Sequence, residues 1–165
     1  MSVIDLASRT IIEHVPVGQR PEGVAIGGGR VFVANLLDNN VTVLDAATRS
    51  GLATIPVGNG PVKVLYHLDL VWVTNGQAGT VSIIDPVGLR VLTTLPVFGE
   101  PADLTPSPDG VWITQLVGGN VALVDPVTHS IKRSENLDAN HAGVAVNGRE
   151  VWVTNADRGS VTIFS

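Results

Sequence analysis

One spacing constrains this chain more than any other feature: Val41-Thr42-Val43-Leu44-Asp45 returns forty residues later as Val81-Ser82-Ile83-Ile84-Asp85, and after forty more as Val121-Ala122-Leu123-Val124-Asp125. The N-terminus ends the same element at Asp5, and the C-terminus carries Val161-Thr162-Ile163-Phe164. A second element keeps the register: Val31-Phe32-Val33-Ala34-Asn35, Val71-Trp72-Val73-Thr74-Asn75, Val111-Trp112-Ile113-Thr114-Gln115 and Val151-Trp152-Val153-Thr154-Asn155. Two elements matched at one fixed period, with no insertion or deletion, mark a repeat architecture whose units bury their apolar faces against each other. The repeats run 1–40, 41–80, 81–120 and 121–160, with an extra strand over 161–165, and residues 1–165 read as a single domain or as a fragment of one.

Turn signals divide each repeat into four short strands, a to d. Strand a is small and apolar (23–26, 63–66, 143–146), b carries the aromatic slot, c ends in Asp, and d runs through 11–17, 52–57, 92–97 and 131–137. Gly27-Gly28-Gly29, Pro108-Asp109-Gly110 and Asn147-Gly148 supply the tight turns from a to b. The Asp closing each strand c can accept hydrogen bonds from the amides ahead of it, so it is read as structural. Pro16, Pro56 and Pro96 place d at a sheet edge, since proline cannot donate to a central ladder. Lys132, Arg133 and Glu135 protect the fourth edge by charge. Strands b and c are apolar on both faces and need cover on both sides. Radially stacked sheets provide it, so the fold class expected is an all-β β-propeller with four antiparallel strands per blade and four blades per chain. The ring closes within one chain or forms half of an eight-bladed dimer, and the steep angles between blades in a four-bladed ring favour the symmetric dimer. Strand c occurs once too often for a single ring, and Val3-Ile4-Asp5 competes with Val161-Thr162-Ile163-Phe164 for one place. The C-terminal copy is expected to win and leave the residues near Met1 frayed.

Composition agrees and excludes some functions. Eighteen Gly and ten Pro among many β-branched residues suit short strands and turns rather than helices. A net charge of −5, with no clustered Lys and Arg, argues against nucleic acid. No cysteine means no disulfide framework and no thiolate metal site, which fits an exported protein and equally a cytosolic one. No apolar run approaches a membrane span and no signal peptide is present. The first residues already read as a strand, as in a piece cut from something longer.

The Val-Trp-Val-Thr-Asn segments at 71–75 and 151–155, each followed by a Val-Ser/Thr-Ile strand, resemble the YVTN-type β-propeller repeats of bacterial and archaeal proteins. Arg20-Pro21-Glu22-Gly23-Val24-Ala25-Ile26 is similar to that family's entry into strand a. The resemblance spans the chain and implies the fold; the family's varied members leave activity open. Related streptogramin lyases work with a metal near the axis, but their motif has no residue-by-residue match here.

Propellers usually bind at the channel rim, where the d-to-a loops meet the starts of strand a. Structural residues should repeat, so divergent slots are the candidates. The slot before proline holds Arg20, Gly60, Glu100 and Asn140; the proline slot holds Pro21, Pro61, Pro101 and His141; two residues on stand Gly23, Lys63, Asp103 and Gly143. Arg20, Glu22, Lys63, Glu100, Asp103, Asn140 and His141 are therefore the candidate ligand-binding set. The competing reading is a belt of solvated charges with Lys63 paired to Asp103 across blades, and a His141 that merely fills a turn. The aligned Phe32, Trp72, Trp112 and Trp152 suit packing between blades better than a stacking platform. No catalytic constellation, phosphate loop, metal or cofactor is expected. The function expected is a binding or scaffold module for a protein, peptide or glycan, extracytoplasmic or at the cell surface in preference to the cytosol, with a homodimer as a further possibility. The alternative is a metal-assisted lyase or hydrolase around His141, Glu100 and Asp103.

Overall fold

The computed structural model describes residues 1–97 and 99–165. The chain forms seventeen strands among the described residues. It opens with a hairpin of β1 (Ser2–Asp5) and β2 (Thr10–His14). The first full blade is β3 (Pro21–Gly27), β4 (Arg30–Asn35), β5 (Asn40–Asp45) and β6 (Gly51–Pro56), hydrogen-bonded in that order. The second is β7 (Pro61–His67), β8 (Leu70–Asn75), β9 (Thr80–Asp85) and β10 (Arg90–Pro96). The third is β11 (Pro101–Ser107), β12 (Gly110–Gln115), β13 (Asn120–Val124) and β14 (Ile131–Asn136). A final sheet holds three strands, β15 (His141–Asn147), β16 (Glu150–Asn155) and β17 (Ser160–Phe164). All pairings are antiparallel meanders, as tight hairpins dictate. The expected four strands per blade are thus met in three blades. The fourth lacks its outer strand because the spare strand d, β2, pairs with β1 at the other end of the chain.

Strand d is an outer edge in every complete blade, as the prolines demanded: Pro56 and Pro96 each close their strand. Strands a gather on the inside, where β3 meets β7, β7 meets β11 and β11 meets β15. Their small residues allow this. A Cβ on Gly23 would stand 2.5 Å from the Val62 carbonyl oxygen and 3.0 Å from the Lys63 Cα, so the two backbones touch only because that residue is glycine. Among the described residues no comparable run of contacts joins β15 back to β3, so the blades form an open arc. The fraying expected near Met1 does not occur. Ser2 to Asp5 pair with Thr10 to His14, and the terminal amine donates to the Val15 carbonyl at 3.0 Å. With the ends apart, β1 and β17 each keep a partner.

The aromatic slot closes the junctions. Phe32 is buried with Val71, Val73 and Ile84 of the next blade; Trp72 with Val111, Ile113 and Val124; Trp112 with Val151 and Val153. The expectation of inter-blade packing holds for these three. It fails for Trp152, 41% exposed, whose indole N–H reaches Glu150 at 3.2 Å.

The Asp residues closing strand c act as expected. Asp45 Oδ1 accepts from the amides of Ala47 and Thr48, Asp85 Oδ1 from Val87 and Gly88, and Asp125 Oδ1 from Val127 and Thr128; Asp5 Oδ1 accepts from Ser8. These backbone donors come first in holding all four carboxyls below their ordinary value of 3.8.

Candidate functional site

The d-to-a loops and the b-to-c turns lie at the same end of the blades, and one hydrogen bond fastens them in every repeat. The amides of Leu36, Gly76, Leu116 and Ala156 donate to the carbonyls of Arg20, Gly60, Glu100 and Asn140, at 3.0, 2.8, 2.7 and 2.7 Å. The backbone of this slot is thus fixed four times over. Its side chain has no part in that bond, which explains why Arg, Gly, Glu and Asn can alternate there. The sequence signalled the divergence but not the invariant carbonyl beneath it.

The seven candidate side chains divide. Arg20 and Glu22 are exposed and pair with each other, Nε to Oε1 at 2.8 Å. Glu100 is exposed. Lys63 Nζ stands 4.0 Å from Asp103 Oδ1 of the next blade, and Asp103 Oδ2 accepts from the Val144 amide at 3.2 Å. These two therefore tie consecutive strands a together, as the structural reading of them anticipated. A partly solvated pair at that distance contributes at most about 1 kcal/mol. Asn140 is half-buried, and its amide donates to Asp157 Oδ1 at 3.2 Å.

His141 does not reach the opening. It is fully buried, with Nε2 3.2 Å from the Gly119 carbonyl of the preceding blade and Nδ1 without a partner among the described residues. Its slot explains this: Pro61, Pro101 and His141 each have a blade before them and are buried, whereas Pro21 does not and is exposed. The position is a junction plug, which no local signal reveals. Among the described residues no three His, Asp or Glu side chains are grouped to hold a metal ion, so His141, Glu100 and Asp103 do not assemble as a ligand set.

Two structural devices went unread in the sequence. Asn35 Nδ2 donates to Asn40 Oδ1 and Thr42 Oγ1; Asn75 Nδ2 to Thr80 Oγ1 and Ser82 Oγ; Asn155 Nδ2 to Ser160 Oγ and Thr162 Oγ1. Each clasp locks b to c. The third repeat has Gln115 opposite Ala122, and Gln115 Nε2 turns instead to the Val97 carbonyl. That paired change, Asn with Thr or Ser against Gln with Ala, was the available signal. The hydroxyls of Thr74 and Thr154 accept from the amides of Lys63 and Gly143, where strand a bulges out of register.

No family model and no curated protein matches the sequence. Solved structures do match the fold. Hydrazine synthase of Kuenenia stuttgartiensis superposes with a TM-score of 0.80 at 18% identity, over 92% of this chain and 48% of that one. The computationally designed Ika4 protein gives 0.80 at 16% identity, over 90% and 92%. BamB from Moraxella catarrhalis gives 0.69 at 14% identity, over 85% and 41%. This chain therefore spans about half the length of the hydrazine synthase chain. Hydrazine synthase and BamB are β-propeller proteins, and likeness at such identities speaks for architecture alone: the chain folds as blades of a β-propeller.

Proposed function

We propose that this chain is a binding or scaffold module that holds a protein, peptide or glycan on the face formed by the d-to-a loops and b-to-c turns. One observation carries the reading. The slot at 20, 60, 100 and 140 repeats its backbone hydrogen bond while its side chains diverge, so that bond places no demand on the side chain. Arg20, Glu22 and Glu100 give that face exposed charges of both signs, with Asn140 as a neutral donor and acceptor. Such loop residues on a rigid scaffold are where binding commonly resides. Lys63 and Asp103 shape the edge of the site without being the contacts that select the ligand.

The test is a screen of the purified chain on peptide and glycan arrays, followed by titration of any hit against the R20A/E100A double variant. The proposal expects at least a tenfold loss of affinity with an unchanged melting temperature. Equal binding by the double variant, or hits that map to the β14 edge, would reject it.

A further inference from the structure

The two ends of the arc carry the two halves of one blade junction. At each internal junction the forward face consists of the aromatic slot and two strand-c positions: Phe32, Val41 and Val43, then Trp72, Val81 and Ile83, then Trp112, Val121 and Leu123. The same three positions in the last blade are Trp152, Val161 and Ile163, and they are 41%, 52% and 49% exposed. The receiving face uses strand a and strand b of the following blade, as with Val64 and Tyr66 beneath Phe32, or Val144 and Val146 beneath Trp112. Its counterparts in the first blade are Val24 and Ile26, 57% and 69% exposed. They border an apolar groove of 330 Å³ lined also by Val31 and Leu44 and bounded by Val3 and Ile4 of β1, the strand that docking displaces.

We propose that a second copy of this chain fills the groove. Trp152, Val161 and Ile163 of one copy dock on Val24 and Ile26 of the other, and the reciprocal junction closes the pair around a two-fold axis. The chemistry of the occupant is fixed by the repeat: each internal groove of this kind is filled by an aromatic and two aliphatic side chains at these spacings. Val161 and Ile163 fall at the repeat positions of Met1 and Val3, so β17 takes the place that β1 holds in the single chain. β17 is the strand retained because Phe164 packs edge-on against Trp112 at 5.4 Å. Head-to-tail contacts close into a ring only when their rotation permits, and two copies are the smallest such ring.

Sedimentation equilibrium of the 165-residue chain tests this. The expected mass is twice 17.2 kDa. Trp152→Glu and Ile26→Glu, at opposite ends of the arc and both on exposed positions, each return the mass to that of one chain with unchanged circular dichroism. Mixing the two variants leaves one of the two junctions intact and restores part of the dimer. A wild-type mass of 17.2 kDa, or a dimer that survives both substitutions, overturns the proposal.

Discussion

The junction between the second and third blades and the free face of the last blade use the same residue pattern with opposite results. At the junction, Trp72 is fully buried among Val111, Ile113 and Val124. At the free face, Trp152 occupies the equivalent slot with 41% of its surface in water. The sequence around the two is nearly identical, Val-Trp-Val-Thr-Asn in both. Burial in a repeat protein is therefore decided by the neighbour, not by the repeat itself. What identical sequence can deliver is a hydrogen-bonded sheet. What it cannot deliver alone is a covered one.

That difference should be largest in the aromatic slot. Trp72→Ala and Trp112→Ala are each expected to destabilise the chain by about 3–5 kcal/mol, the range for a buried aromatic that leaves a cavity. Trp152→Ala, measured where the chain is dilute, should cost less than about 1 kcal/mol. Urea unfolding of the three variants compares them directly. Equal losses in all three would abolish the distinction.

The asparagine clasp gives the next contrast. Asn75 is fully buried and Asn155 slightly exposed. Asn75→Ala removes the amide that binds the buried Ser82 hydroxyl and the half-buried Thr80 hydroxyl and should cost about 1–3 kcal/mol. Asn155→Ala should cost visibly less, because water reaches Ser160. Parity between them, read from denaturation midpoints, would mean that the fourth blade is as enclosed as the second.

A smaller effect of opposite sign is expected at the junction plug. His141→Pro restores the residue of the other three repeats and removes the partnerless Nδ1. The gain should be about 0.5–1 kcal/mol, mainly from a stiffer unfolded chain. A loss larger than that would show that the Nε2 contact with the Gly119 carbonyl matters more than the proline geometry.

The smallest effect belongs to the turn carboxylates, which are alike from end to end of the arc. Asp5, Asp45, Asp85 and Asp125 are all held below 3.8, chiefly by backbone amides. Their contribution is complete above that value and is lost as the pH falls through the lowered folded values, since the unfolded chain binds protons first. Replacing Asp85 by Asn should flatten the acid limb of a stability profile slightly and leave neutral stability nearly unchanged. Protection against acid loss that differs sharply between Asp5→Asn and Asp85→Asn would set the ends apart in a further way.

The fold was legible because its determinants are local and repeated. Alternating apolar residues, Pro56 and Pro96 at the edge, and Asp85 ahead of Val87 and Gly88 all act within one blade. The aromatic packing could be anticipated for Phe32, Trp72 and Trp112 from alignment alone. Trp152 and His141 were misjudged because their surroundings depend on a blade before or after them, which a residue's own repeat does not encode. The candidate rim was legible as divergence at Arg20 and Glu100. The fixed carbonyl that permits this divergence was not, because a backbone atom leaves no trace in residue type.

The central claim is that each internal junction is sealed by the aromatic of the blade before it and that the last aromatic, Trp152, is left uncovered within one chain. Single-tryptophan variants test it through acrylamide quenching. Phe32 already fills this slot in the first blade, so phenylalanine is the replacement: W72F/W112F leaves Trp152 as reporter and W112F/W152F leaves Trp72. Trp72 should be shielded at every protein concentration. Trp152 should be quenched freely in dilute solution and become shielded as concentration rises. A Trp152 as protected as Trp72 at all concentrations would contradict the account and mean that the arc closes within one chain.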